Sequence, residues 1–179
     1  ALRGGKPAPH RTAPVFVAEP EPERDYPPAE EVERLWSACI PVTEDTQVYS
    51  VLESRKIDPS TVAAHDNARA LHRDTHWSSI PEWAKFRGKH THARTWTATG
   101  HRLVLPVYDS DGVMRSVRGW LVTGEPGMPK RVPPAGYRAS ELVAANERAV
   151  AMLRGESSPS RVVVVEGEPD TLARSVLSP

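Results

Sequence analysis

The feature of the sequence that most constrains the fold is the stretch RVVVVEGEPD, which spans residues 161–170. Four consecutive valines leave no polar face, and a short run that is apolar on both faces is typical of a buried strand in a parallel sheet. Gly167 permits a tight turn after such a strand, and Pro169 suits the first position of a helix. The stretch therefore predicts a buried strand over 161–165 with helices on each side, followed by a turn and a further helix.

The acids of this stretch suggest a site at the end of the predicted strand. In a parallel α/β sheet, ligands collect at the carboxyl ends of the strands, where Glu166 is expected to lie. Glu168 and Asp170 follow within five residues, and carboxylate oxygens are the ligands that Mg²⁺ takes. The alternative is that the three acids only cap and solvate the start of a helix, near its positive end.

Helical signals lie mainly in the N-terminal third. An apolar stripe at i, i+3, i+4 and i+7 predicts a first helix that ends at Cys39. Thr43 is predicted to cap a second helix, and Asp58, followed by Pro59, begins a short third one. Nearer the carboxyl end, Asn146 is predicted to cap a helix that runs through Leu153 and that Gly155 stops. The stripe of the first helix comprises Val32, Leu35, Trp36 and Cys39.

A β-hairpin is predicted in the second half of the chain. Residues 103–108 are rich in strand-forming side chains, and residues 113–122 return after the turn sequence DSDG. Gly112 stands in that turn where a positive φ is needed. A stiff basic loop, PKRVPP, follows over 129–134.

The charge of the chain is unevenly distributed, although its net value is zero. Residues 51–140 carry fourteen basic and eight acidic side chains, and six of the seven histidines lie between His65 and His101. An excess of cations in one region indicates a face that binds nucleic acid. The alternative is a solvated surface with incidental arginines.

Composition limits the remaining classes of function. The single cysteine, Cys39, can form neither an internal disulfide nor a four-ligand zinc site, so no zinc and a reducing, cytoplasmic setting are expected. No apolar run approaches the roughly 18 residues of a membrane span, which predicts no membrane partner. Residues 1–25 are rich in proline, glycine and charge and are predicted to form a flexible linker.

The histidines and tryptophans of residues 72–100 are ambiguous. His72 and His76 have the spacing of metal ligands on a helix, and His90 and His92 have that of a strand, but neither pair has a third ligand. Surface or hydrogen-bonded histidines are far commoner than metal sites. Three tryptophans, Trp77, Trp83 and Trp96, could stack on bases, but core packing is the favoured use.

Two parts of the sequence resemble one enzyme family. VVVVEGEPD resembles the first motif of the Toprim domain, which DNA primases, topoisomerases, OLD-type nucleases and recombination mediators share. HRLVLPVYDSDGVMRSVRGW and PKRVPPAGYRAS resemble the block that precedes Toprim in DnaG-type primases, and VYSVLESRKIDPSTVAAH resembles the start of their catalytic core. The resemblance covers roughly residues 45–175 and leaves 71–100 unmatched.

The resemblance implies roles for individual residues. Glu166 would be the Toprim glutamate that handles metal or proton transfer, with Gly167 and Asp170 completing its motif. Cations of the preceding block would hold template or nucleotide phosphates. The family's arginine on the second strand falls at Trp120, and the arginine two residues earlier lies on the same strand face and could substitute. The implied phosphate-binding residues are Arg102, Arg118, Lys130 and Arg131.

The resemblance also implies a fold and a function. The fold would be α+β or α/β: a helical and β-hairpin basic subdomain over 26–155, leading into the first strand and helix of a Toprim α/β domain over 156–179. The parent would be a DNA primase, a nucleotidyltransferase that makes RNA primers from nucleoside triphosphates on single-stranded DNA with Mg²⁺ or Mn²⁺. A replicative helicase is a further partner to consider.

One departure from the family bears on activity. Toprim chemistry uses a second, Asp-x-Asp motif several tens of residues downstream, and this chain stops nine residues after Asp170. The chain alone is therefore expected to make no primers. Two alternatives stay open: a primase-like module that binds DNA or a helicase without chemistry, and a Toprim nuclease that cleaves phosphodiesters with the same acids.

Overall fold

The computed structural model describes residues 26–87 and 92–176. The predicted linker over 1–25 and His90 lie outside the described residues. The helices are α1 Ala29–Ala38, α2 Thr46–Ser54, α3 Pro59–Ala64, α4 Trp96–Thr99, α5 Glu147–Leu153 and α6 Glu168–Val176, with 3-10 turns at Val42–Glu44 and Trp77–Ser79. The strands are β1 Ile40–Pro41, β2 Arg69–Ala70, β3 Lys85–Phe86, β4 Arg94–Thr95, β5 His101–Tyr108, β6 Met114–Leu121 and β7 Arg131–Val132.

The described strands form two antiparallel sheets. The larger sheet has the order β1-β2-β5-β6-β7, and β3 pairs with β4 in a separate two-stranded sheet. The β5–β6 hairpin is the longest pairing, and Gly112 in its turn has a φ of +69°. The predicted hairpin is thus confirmed, and the chain is a mixed helix and strand fold compatible with the expected α+β class.

Hydrophobic side chains pack against both faces of the larger sheet. On one face, Leu103, Leu105 and Trp120 belong to a first core that includes residues of α2, α3 and α6. On the other face, Val104 and Val117 belong to a second core that includes residues of α1 and α4. This two-faced burial explains why β5 is buried along almost its whole length.

The helix caps follow the sequence signals, with one correction. Asp58 caps α3, and Asn146 caps α5 by accepting from Ala149 N at 3.0 Å. The cap of α2 is Asp45 rather than the predicted Thr43, since Asp45 Oδ1 accepts from Val48 N at 3.0 Å. Thr43 lies inside the 3-10 turn that precedes the helix, two residues before the cap position.

The buried parallel strand predicted over 161–165 is wrong for this structure. These residues take no strand pairing, and Val162, Val163 and Val164 are 52%, 53% and 90% exposed. A strand exists only where a neighbour supplies ladder hydrogen bonds, and no described strand runs beside this segment. The helix predicted after it does form as α6, and its Leu172 is buried in the first core.

Two further expectations concern Cys39 and the membrane. Cys39 is buried, and burial raises the pKa of its thiol to about 12, which keeps it protonated. Among the helices that the structure describes, none has the length and apolar character needed to cross a bilayer.

Candidate nucleic-acid interface

Three arginines lie near Trp120 on the first-core face of the sheet. In the register, Trp120 lies opposite both Leu103 and Arg131, and Arg118 lies opposite Leu105. Directly opposite residues share a face, so Arg118, Trp120 and Arg131 project to the same side. The predicted shared face of Arg118 and Trp120 is therefore confirmed. We call the set Arg55, Arg118, Trp120 and Arg131, together with Lys130 of the adjoining basic loop, the Trp120 surface; the register places Arg118 and Arg131 on the Trp120 face, and Lys130 joins the set through its position next to Arg131.

Contacts hold several members of the Trp120 surface in place. Arg55, just after α2, lies with its Cζ 4.4 Å from the ring centroid of Trp120 and covers an indole that is only 3% exposed. Arg118 is half-buried, and its Nη2 donates to the carbonyl of Ala139 at 2.9 Å. Lys130 is exposed, and its carbonyl accepts from Leu121 N at 2.9 Å, which ties the basic loop to β6. The surface is thus organised before any ligand arrives.

Arg102, the remaining predicted phosphate ligand, lies in the interior. Its Nη1 donates to Asp45 Oδ2 at 2.6 Å, and the two side chains are 4% and 5% exposed. A register shift between His101 and Leu103 leaves Arg102 without a partner on β6, and such bulges re-aim a side chain. The guanidinium is therefore engaged with the cap of α2, which favours a structural role over phosphate contact.

The electrostatics of Asp45 agree with this role. Burial raises the pKa of the Asp45 carboxyl, but the backbone amide of Val48 and the guanidinium of Arg102 lower it, and the net shift is downward. Gln47 Oε1 also accepts from Arg102, close to the same carboxylate. A buried charge pair whose partners are hydrogen-bonded in this way is costly to break on one side.

The acidic motif lies at the start of α6. Glu166 and Asp170 are exposed, and Gly167 has a φ of +95°, a left-handed conformation that favours glycine. The Gly167 carbonyl accepts from Thr171 N at 3.2 Å and thereby opens the helix. Because Leu172 of α6 lies in the same core as Trp120, the motif and the Trp120 surface are on the same side of the sheet.

The carboxylates of this motif have the right chemistry for Mg²⁺ or Mn²⁺, since both ions take oxygen ligands. Within residues 26–87 and 92–176, no group of three or more His, Cys, Asp or Glu side chains is arranged to hold a metal ion. Glu166 and Asp170 would thus need further ligands, such as a second carboxylate motif or substrate phosphates.

The histidines with helical metal spacing make local hydrogen bonds instead. His72 Nδ1 accepts from Asp74 N at 3.2 Å, and His76 Nδ1 accepts from Ser78 N at 3.3 Å. Both rings stabilise turns rather than one helical face, which removes the geometry that the spacing implied.

Two features of the structure were not expected from the sequence. Core packing is confirmed for Trp83 and Trp96, which are 4% and 0% exposed, but it is wrong for Trp77, which is 78% exposed. The stacking of Arg55 on Trp120 was also missed. Arg55 and Lys56, which follow α2, were the available signal for this stacking. No local pattern distinguished Trp77 from the other two tryptophans.

Comparison of the chain with protein-family models, with curated proteins and with solved structures gives no match. The Trp120 surface and the turn at Glu166 are therefore the features from which a function can be inferred.

Proposed function

We propose that this chain is the basic part of a DnaG-type primase core, and that its Trp120 surface binds the phosphates of single-stranded DNA or of nucleoside triphosphates. One observation carries the proposal: Arg118, Trp120 and Arg131 share a sheet face, with Arg55 stacked on the indole. Guanidinium groups match the geometry of phosphate oxygens. Side chains that packing already holds in place lose less conformational entropy when they bind a ligand.

The side that carries these cations also carries the acidic motif. In a parent protein that includes the Asp-x-Asp motif, Glu166 and Asp170 would help to hold Mg²⁺ or Mn²⁺. When bound, the ions would activate the 3′-hydroxyl of the primer and neutralise the leaving pyrophosphate. The contribution of this chain would be to present carboxylates at the start of α6 and to place phosphates with Lys130 and Arg131.

A titration with a labelled single-stranded oligonucleotide tests the binding part. We expect weak binding that falls steeply between about 50 mM and 200 mM salt, because cations displace condensed counterions from the phosphates. Equal binding at both salt concentrations, or none at the lower one, would contradict the proposed role of the Trp120 surface.

The catalytic part is tested in a parent protein that extends through the second motif. Primer synthesis should require Mg²⁺ or Mn²⁺, and Glu166→Gln should abolish it while leaving oligonucleotide binding intact, since this change removes charge and keeps shape. Unchanged synthesis by Glu166→Gln would mean that Glu166 only caps α6. Cleavage of the template in the same assay would favour the Toprim nuclease.

A binding module without chemistry is the second candidate. It is favoured by the lack of strand pairing over 161–165, where the catalytic candidate expects a strand that ends at Glu166. Such a module would bind DNA or a replicative helicase. It predicts that the extended parent makes no primers, although the Trp120 surface still binds oligonucleotides.

A further inference from the structure

A cleft of about 380 Å³ is lined by the turn after α3, the end of β5 and α5. Its volume is at the lower end of the range for pockets that hold small ligands, which is roughly 300–1,000 Å³. The cleft shares no residue with the Trp120 surface, so it is a separate candidate site. Its polar lining includes Asp66, Asn67, Tyr108, Glu147, Arg154 and Glu156.

One wall of this cleft holds an amide donor that lacks an acceptor. Asn67 is 7% exposed, and its Nδ2 is buried without a hydrogen-bond partner in the part of the chain that the structure describes. The backbone at this position is fixed, because Asn67 N donates to the Val62 carbonyl at 3.2 Å. Most buried polar side-chain atoms in proteins have a partner, so this N–H calls for an acceptor from outside the chain.

Tyr108 and Arg154 add two further polar groups to the lining. Burial raises the pKa of the Tyr108 phenol, the charge of Asp66 adds to this rise, and Arg154 opposes it. The phenol therefore keeps its proton at neutral pH and can donate as well as accept. Arg154 is held in place, since its Nε donates to the Gly112 carbonyl at 3.1 Å. Groups fixed in this way lose less conformational entropy when a ligand binds.

The carboxylates of the cleft lie nearer to solvent than Asn67 does. The side chains of Asp66 and Glu147 are 51% and 80% exposed, and Glu156 is also exposed. The cleft therefore has an inner end with an unsatisfied N–H donor and an outer end with carboxylate acceptors.

The charges of the lining favour a cation at the outer end. Asp66 already forms an ion pair with Arg69 at 2.7 Å, which leaves two glutamates against the guanidinium of Arg154. Glu147 Oε2 lies 3.9 Å from His65 Nδ1, which is beyond hydrogen-bond distance. A ligand with a negative charge would meet like charges here, whereas an ammonium group would meet acceptors of the opposite charge.

We propose that this cleft binds a small organic ammonium ion that also carries a hydroxyl group, as amino alcohols and amino sugars do. The hydroxyl oxygen would accept from Asn67 Nδ2 at the inner end, and the ammonium group would donate to Glu147 and Glu156 at the outer end. A metal ion does not satisfy Asn67, because a cation cannot accept a hydrogen bond. The proposal is independent of nucleic-acid binding.

The experiment titrates the isotope-labelled full chain with three compounds and follows its backbone and side-chain amide signals by NMR. The compounds share a three-carbon skeleton: serinol carries an ammonium group and two hydroxyls, glycerol lacks the charge, and isopropylamine lacks the oxygens. At equal concentration, serinol should shift the Asn67 side-chain amide most. The side-chain amide of Gln47, whose Oε1 already accepts from Arg73 at 3.2 Å, should stay in place.

Two variants test the two ends of the cleft separately. Asn67→Ala should weaken serinol binding by about 2- to 12-fold, the effect of one lost hydrogen bond. The double change Glu147→Gln and Glu156→Gln should weaken it by about 2- to 5-fold for each carboxylate, because exposed charge pairs contribute little. Glu53→Gln is the matched control, since Glu53 is exposed on α2 and does not line the cleft, and it should leave the affinity unchanged.

Each outcome decides for or against the proposal. Serinol binding that exceeds both analogues and falls in Asn67→Ala would support it. Equal shifts with serinol and either analogue would overturn it, because the ligand would then need only one of its two groups. An unmoved Asn67 amide would show that water satisfies its Nδ2 and would also overturn it. Should Asn67→Ala fail to fold, the titration of the unaltered chain and the glutamate variant still provide the test.

Discussion

The Arg102 guanidinium lies 2.6 Å from the Asp45 carboxylate in a site where both side chains are at least 95% buried. The two residues are 57 positions apart in the sequence, so the pair joins the bulge of β5 to the start of α2. The same carboxylate caps α2, which makes this pair a connection between the sheet and a helix of the first core.

Breaking this pair on one side should destabilise the protein. Arg102→Ala leaves the Asp45 carboxylate buried without its cation, and a loss of about 3–5 kcal/mol in the free energy of unfolding is expected. Denaturant unfolding measures the loss. Lys130→Ala, an exposed control, should change the same quantity by no more than about 0.5 kcal/mol. Equal stability of the two variants would refute the structural role of Arg102.

His101 should make stability depend on pH near neutrality. Its ring is buried, Nε2 lies 2.8 Å from the Pro129 carbonyl, and burial lowers its pKa below 6.5, although the hydrogen bond to Pro129 opposes this. The neutral ring is favoured in the folded state. Stability is therefore greatest above pH about 6.5 and falls as the pH drops from there through the folded-state pKa.

Unfolding measured between about pH 7.5 and pH 5 should show this fall. His101→Gln retains an amide donor for Pro129 and does not titrate, so its stability should vary less over the same range. An identical pH dependence in both proteins would assign the effect to other groups.

Gly112 should be intolerant of a side chain for two reasons. It has a φ of +69°, and an added Cβ would lie 2.8 Å from Arg154 Cγ and 3.0 Å from the Val150 carbonyl oxygen of α5. Gly136 has a φ of +84° but nothing within 4 Å of the same position. Gly112→Ala should therefore lower the melting temperature more than Gly136→Ala. Gly136→Ala is the control, and it should destabilise the protein only through backbone strain, by about 1–2 kcal/mol. A smaller effect at Gly112 would contradict the close approach of the hairpin turn to α5.

The valine run and the helix after it should differ in their contributions to stability. Val164 is 90% exposed, so Val164→Ala should change the free energy of unfolding by no more than about 0.5 kcal/mol. Leu172 is 1% exposed in the first core, so Leu172→Ala should lower the free energy of unfolding by about 2–5 kcal/mol. A large loss at Val164 would show that the run is packed in solution.

The basic loop should contribute charge to binding rather than to folding. Lys130→Ala should lower the slope of log affinity against log salt by about 0.7 for a single strand, because one phosphate contact is lost. The melting temperature serves as the control and should stay close to that of the unaltered chain. An unchanged slope would place the phosphates elsewhere than on Lys130.

Local signals were sufficient for several elements of this fold. Asp58 and Asn146 cap α3 and α5 as their positions predict, and the turn before Val113 closes the β5–β6 hairpin with Gly112 at positive φ. Each of these features depends on side chains within a few residues of the backbone groups that they satisfy. The sequence by itself therefore determined the helices after these caps and the central hairpin.

Contacts between distant segments decided the rest. Arg102 became an interior cation because Asp45 lies beside it in space, and residues 161–165 remained outside any sheet because strand formation needs a neighbour that a valine run cannot supply for itself. Trp83 and Trp96 entered the second core while Trp77 stayed in solvent, although all three lie in one stretch of similar composition. Burial depends on which surfaces meet after folding, and that choice is not encoded in the neighbours of a residue along the chain.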